Sequence, residues 1–361
     1  MKFQPKLLII LCGLCLIPLT AQANAGTPLM WASMLHLVFG NAFIGLFEGL
    51  VLAKIFRLHY FKCVLVMVLA NYFSSWGGGL FLIGLISHQL TLNLYNAWFW
   101  FWAMAVVTFL ITLVLEWPFV FFCLRKQPDR FKKSFWGNLL INSLSYTLLF
   151  GWYWFASGTG IYRSMNVVQP AQITMPTNGV VFFISTNSSD VYSLDLRAQL
   201  SEKIFALNTS DKDDRLLVMP SQFDSNNWDI LEHSKSVLIK SNLTAVAAEC
   251  WRDTNSLSDK GTWFNFGEAA KLGLAQASDW NFETGFWPIE GLHGKNSKTG
   301  ASIHFSLETP FVAWNARSAI HLPGDYVVFQ LGEDQICILE ASTKKIALLA
   351  RGYGPVALLK K

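Results

Sequence analysis

Leu29–Phe56 reads LMWASMLHLVFGNAFIGLFEGLVLAKIF and constrains this chain more than any other stretch. One acid, Glu48, interrupts it, and no lysine or arginine appears before Lys54. A bilayer core of about 30 Å is crossed by about 20 mostly apolar residues, so the stretch predicts a membrane-spanning helix. Only structures that satisfy their own backbone hydrogen bonds survive in hydrocarbon. Phe61–Ser87, Ala97–Leu124 and Ser134–Ala156 predict three further spans, giving a four-helix transmembrane domain over residues 29–156.

The segment ahead of these spans has its own signature. Lys2 and Lys6 precede the apolar run Leu7–Leu19, which ends in Thr20-Ala-Gln-Ala-Asn-Ala25. A basic start, a short apolar core and an A-x-A ending describe a signal peptide over residues 1–25. Cys12 and Cys15 lack the small-residue context of a lipoprotein signal.

Charge sets the orientation. Lys54, Arg57 and Lys62 surround the first connection, and Arg125, Lys126, Arg130, Lys132 and Lys133 crowd the third. The second, His88–Asn96, has no lysine or arginine. Basic loops stay in the cytoplasm. The mature N-terminus, the second connection and everything after residue 157 are therefore expected outside, in a multi-pass protein of the cell membrane. Trp31, Trp98, Trp100, Trp102, Trp152 and Trp154 fall at the outer ends of their spans, where indole rings favour the interface. Trp117-Pro118 lies late in the third span, where proline loosens the helix.

Each span also carries a carboxylate or amide. Glu48, Asn71, Glu116, Asn138 and Asn142 lie about 8 to 14 Å from the basic connections, at 1.5 Å per residue, and so share one layer. Asn41 stands seven residues before Glu48 on nearly the same face. Such a layer is either a small polar site for a proton or cation, or interhelical hydrogen bonding that holds the bundle in register. His36 is read as an interhelical donor.

The composition then changes. Residues 1–159 hold ten Lys/Arg against three acids, whereas residues 160–361 hold eighteen against twenty-one. The basic balance thus belongs to the membrane half, which excludes a nucleic-acid partner for the rest. Residues 157–179, with Gly158, Gly160, Pro170 and Pro176, read as a linker. Residues 180–361 read as a mainly-β extracytoplasmic domain. Its short runs include Val180–Ser185, Val191–Leu196, Leu216–Met219, Ser236–Ile239, Ile303–Leu307, Tyr326–Leu331, Ile336–Glu340 and Ile346–Leu349. Gly267–Ala277 is the expected helical exception. Asp190-Val-Tyr-Ser-Leu-Asp-Leu followed by Lys203-Ile-Phe-Ala-Leu is echoed by Asp334-Gln-Ile-Cys-Ile-Leu-Glu followed by Lys345-Ile-Ala-Leu-Leu. Strand, polar turn and strand of this kind resemble a β-propeller blade hairpin, which implies a partial propeller; a sandwich fits the spacing equally.

Chemical motifs are missing from the sequence: there is no GxSxG, HExxH, P-loop or metal-spaced CxxC. His233, His293, His304 and His321 show no i,i+4 pairing and read as surface or turn residues, and Asp211-Lys-Asp-Asp214 reads as a solvated turn. The domain's tryptophans read as core. Cys250 and Cys337 are the two thiols expected outside, where a disulfide between them can form. No cofactor or metal is implied. The resulting expectation is a non-catalytic membrane protein whose outer domain binds a protein partner, as an assembly factor or scaffold. The alternative is a small-solute or ion-transport component that uses the Glu/Asn layer.

Overall fold

The computed structural model describes residues 28–82, 90–176, 178–209, 211, 214–224, 226–234, 236–247, 266–285 and 291–360. The signal peptide read over residues 1–25 lies outside them, as do Cys250, Trp251, Trp263 and Trp287.

Four helices form the first body. Helix α1, Pro28–Phe56, passes through a π-helical turn at His36–Gly40 and ends where Arg57 turns into the left-handed region. Helix α2, Tyr60–Phe73, continues as the π-helix Ser74–Leu82. Helices α3, Ala97–Cys123, and α4, Arg130–Ala156, follow. By length and composition, α1 and α3 are apolar enough to cross a membrane. The other two expected spans are less plain. Helix α2 loses its regular α-ladder at Ser74, and Asn138, Asn142, Ser143 and Ser145 dilute the apolar content of α4. The two basic connections come together, because Gln127 Nε2 donates to the Phe56 carbonyl (3.1 Å).

The second body is a large mainly-β domain built on a curled half-barrel sheet. Along that sheet the order is Ala270–Lys271, Ala316–Leu322, Tyr326–Leu331, Gln335–Glu340, Lys345–Lys360, Gly179–Ser185, Val191–Asp195 and Leu200–Phe205. The 16-residue strand Lys345–Lys360 is the hinge of this arrangement. Its first half pairs with Gln335–Glu340 and its second with Gly179–Ser185, and the register shifts between Tyr353 and Val356. Gly354 sits at that shift with φ +57°, and a Cβ there would lie 2.5 Å from the Arg215 Cα. The two similar segments are thus two hairpins of one sheet joined through a shared bent strand, in place of separate propeller blades or a flat sandwich.

Strand alternation divides the core. Val327, Phe329 and Leu331 face one apolar cluster with Phe305, Cys337 and Leu339. Val328, Ile336 and Ile338 face another with Leu272, Leu322 and Leu359. Trp280 belongs to the first cluster and stacks on Phe282 at 5.4 Å. Cys337 is fully buried there, and Cys250, its expected disulfide partner, lies outside the described residues.

Two expectations about connecting segments change. Gly267–Ala277 is two short strands and the 3-10 turn Gly273–Ala277. Sheet pairing overrides helix propensity there, because Ala269 N–H donates to Phe282 O and Leu272 N–H to His321 O. Residues 157–179 are bonded into the β domain and do not form a free linker. Gly158 exchanges two backbone hydrogen bonds with Glu308, and Asn166–Val167 pairs with Lys345–Ile346.

Candidate functional site

The expected polar layer forms one connected hydrogen-bond network. It starts from two glycines. Gly45 and Gly49 on α1 lie so close to α2 that a Cβ would meet the Val68 Cα at 2.4 Å or the Val64 Cα at 2.5 Å. This small-xxx-small spacing lets two backbones touch, and it carries Glu48, between the two glycines, against Asn71. Asn71 Nδ2 donates to Glu48 Oε2 (2.6 Å) and to its own helix at Met67 O (3.0 Å).

One turn on, the π-helix begins at Ser74, whose hydroxyl is 2.6 Å from Glu116 Oε1 and 3.2 Å from Asn71 O. The other Glu116 oxygen accepts from Asn142 Nδ2 (3.2 Å), which also contacts Asn138 Oδ1 (3.2 Å). Asn138 Nδ2 donates to the Leu113 carbonyl of α3 (2.9 Å). Glu48, Asn71, Glu116, Asn138 and Asn142 thus join all four helices. Asn41 stays apart from the chain of bonds and donates to Leu37 O in its own helix (3.1 Å). Ser74 was not legible as a member, because the Ser74-Ser75-Trp76-Gly77-Gly78-Gly79 run gives no face until the π-turn sets one.

Ser74's one hydroxyl hydrogen cannot serve Asn71 O and Glu116 Oε1 together. The shorter contact takes it: Ser74 donates to Glu116 Oε1, and Asn71 O is the weaker acceptor. Two buried acceptors, Glu48 Oε1 and Asn142 Oδ1, have no hydrogen-bond partner among the described residues.

A cavity of about 360 Å³ opens above this floor. Asn41, Asn71, Ser74, Glu116, Asn142 and Ser145 line its lower part. Higher up the walls are Thr108, Thr112, Tyr146, Phe101, Phe150, Tyr153 and His36, and at the top lie Ser157, Thr159, Pro310 and Phe311. His36 Nδ1 and the Tyr153 hydroxyl share a hydrogen bond of 2.7 Å, as do Thr112 Oγ1 and Tyr146 (2.7 Å). Among the described residues no lysine or arginine lines the cavity, and Glu116 is the one carboxylic acid in its lining.

The β domain reaches this cavity because it is fastened to the helices at several points. Leu94 N–H donates to Gln335 Oε1 (2.6 Å), Tyr162 OH to Leu94 O (2.8 Å) and Arg351 Nη1 to Leu92 O (2.8 Å). Leu94 and Ala97 are buried in the same cluster as Phe329. The 90–97 stretch and the β domain therefore occupy one end of the bundle, and the basic connections occupy the other.

Elsewhere in the β domain, polar side chains read as surface are partly interior. Asp214 is buried and accepts from Thr209 Oγ1 (2.7 Å). Burial, then the neighbouring carboxyl of Glu232, pushes Asp214 up to about 6. His321 is fully buried edge-on to Phe282 (4.8 Å between ring centres), and burial lowers its pKa. His293 and His304 stack across neighbouring strands with ring centres 4.0 Å apart. Sequence spacing could not reveal that pair, because cross-strand neighbours are set by register. Among the described residues, no group of three or more His, Cys, Asp or Glu is gathered as a metal centre.

Compared with known protein families, with functionally described proteins and with solved structures, the chain matches none.

Proposed function

We propose that this is a multi-pass membrane protein, non-catalytic, whose helical bundle holds a small cationic or donor-rich solute on the Glu116–Asn142 floor of its cavity. The observation that carries this reading is the cavity floor itself: it has acceptors, one of them without a partner among the described residues, and no lysine or arginine in its lining. Tyr146, Phe150, Tyr153 and Phe311 supply aromatic faces above the floor, which attract an ammonium or other organic cation. Two features favour the membrane setting and orientation. Phe39 and Phe43 on α1, Leu65 and Leu69 on α2, Val106, Leu110 and Val114 on α3, and Leu140, Leu144 and Leu148 on α4 are exposed apolar stripes. Stripes of that extent on every helix suit hydrocarbon as solvent. Basic connections at the end away from the β domain favour an extracytoplasmic β domain that covers the cavity mouth.

The test uses the intact protein in nanodiscs, with thermal stability followed against sodium, potassium, methylammonium and tetramethylammonium. A saturable stabilisation lost in Glu116→Gln and reduced in Asn142→Leu is expected. A wild-type protein indifferent to every cation, with Glu116→Gln unchanged in cavity accessibility, would sink the reading.

A different observation favours partner binding. Strand Leu200–Phe205 is an edge of the large sheet, and Leu200 on it is 71% exposed. An open edge of this kind accepts an added strand from another protein. Recovery of a stoichiometric protein from native membranes, lost when Ser201→Pro is introduced, would give this second reading precedence.

A further inference from the structure

A second site lies on the β domain, away from the cavity. Strands Gly267–Glu268, Trp280–Gly285, Gly291–Asn296 and Ser302–Phe305 run side by side in one antiparallel sheet. Alternation turns Trp280, Phe282 and Thr284 inward and leaves Asn281 and Glu283 exposed. Register then aligns one outer row: Glu268 opposite Glu283, Glu283 opposite His293, and His293 opposite His304. Neighbouring strands are about 4.8 Å apart, so each member of the row is within side-chain reach of the next.

The two imidazoles are the centre of the row. Their rings stack at 4.0 Å with planes 25° apart. His293 Nε2 is shielded from solvent and has no hydrogen-bond partner among the described residues. A stacked histidine pair on a sheet is also a way to cover apolar surface. That role, however, does not call for a buried nitrogen without a partner, nor for carboxylates next in the row. Two nitrogens on one tetrahedral ion sit about 3.3 Å apart, given metal–nitrogen distances of about 2.0–2.1 Å. The 4.0 Å spacing is between the centres of stacked rings, whose lone pairs lie in nearly parallel planes, so the exposed His304 ring has to turn out of the stack for both nitrogens to meet one ion.

We propose that His293 and His304 form a two-imidazole site for a divalent ion of the zinc, nickel or copper class, with Glu283 as third ligand and water completing the shell. Imidazole with carboxylate suits these ions over calcium or magnesium, which take oxygen ligands. The ion assembles the site by turning exposed side chains, which is why no closed centre stands ready among the described residues. Pinning two strands of the four-stranded sheet is its structural consequence.

The experiment titrates Cu2+ and Zn2+ into the full-length protein in detergent, with copper EPR as the direct readout. One ion per chain is expected, with EPR coupling from two nitrogens. His304→Ala, a surface change that should leave the fold intact by circular dichroism, is expected to weaken binding at least tenfold and leave one nitrogen coupled. Glu283→Gln should weaken binding about threefold and keep both nitrogens. Binding unchanged in His304→Ala and His293→Ala, or a copper signal without nitrogen coupling in the wild type, would overturn the proposal. Cavity variants such as Glu116→Gln should leave this titration unaltered, so the two sites fail or stand independently.

Discussion

Glu116 in the bundle and Asp334 in the β domain both hold their carboxylates against donors, but the donors differ in kind. Glu116 is fully buried and meets a hydroxyl and an amide. Asp334 is partly exposed and meets the Arg351 guanidinium through Nε (2.9 Å) and Nη2 (2.5 Å). Asp190 with Lys203 and Asp195 with Lys360 repeat the second pattern. An ion pair near water keeps much of its hydration, whereas a fully buried pair loses it. Neutral donors accept either protonation state of an acid. Glu48 and Glu116 of the bundle therefore rest on neutral donors, whereas Asp190, Asp195 and Asp334 of the β domain rest on cationic side chains; buried Asp214, held by the Thr209 hydroxyl, is the β-domain acid that follows the bundle's pattern.

The comparison can be broken at several points. The largest effect is expected from Phe329→Ala in the β core, where a fully buried ring packs on Phe305; about 3–5 kcal/mol should be lost. Chemical denaturation followed by the β signal measures it, and a loss below about 1 kcal/mol would mean the core collapses around the gap. Next comes Gly45→Leu, which forces α1 away from the Val68 backbone and should cost about 1–3 kcal/mol of bundle stability while also abolishing cavity binding. Retained binding would show that the Glu48–Asn71 contact is not needed for the cavity. Asn71→Leu, which leaves the buried Glu48 Oε2 without its donor, should cost about 1–3 kcal/mol. An unchanged melting temperature would argue that Glu48 finds another donor.

The smallest effects concern pH in the β domain. His321 has a folded pKa below its ordinary value, so the unfolded chain takes up the proton first. Its contribution is complete above about pH 6.5 and declines as pH falls below that value. Asp325, 3.4 Å away, opposes part of this, and Lys271 adds to it. His321→Phe should flatten the melting temperature between pH 6.5 and 5, and a slope that persists would assign it to another group. Asp190 is held below the usual carboxylate range by its Lys203 hydrogen bond. Its contribution is present above about pH 3.9 and lost as pH falls further, a separate step that Lys203→Met should remove.

The bundle's polar layer was legible because helices have a fixed rise, so distance from a charged end places a residue in depth. What remained hidden was lateral: Gly45 and Gly49 decide which face of α1 meets α2, and a π-turn decides where Ser74 points. In the β domain, Tyr326–Leu331 and Gln335–Glu340 were readable as runs of β-branched and apolar residues. Trp280–Gly285 and Gly291–Asn296 were not, because Asn281, Glu283, His293 and Lys295 on their outer face dilute the signal. The His293–His304 row is invisible for the same reason, since register is a property of two strands and not of either one.

The strand Lys345–Lys360 joins both halves of the sheet and is the last of the described strands to leave the ribosome. Until it emerges, Gly179–Ser185 and Gln335–Glu340 each present an open, strongly apolar edge. A chain interrupted before Lys345 would therefore expose two sticky borders to chaperones and proteases. The order of strands along the polypeptide thus makes completion of synthesis a condition of solubility for the β domain. A cell can read an unfinished copy as waste without any dedicated signal.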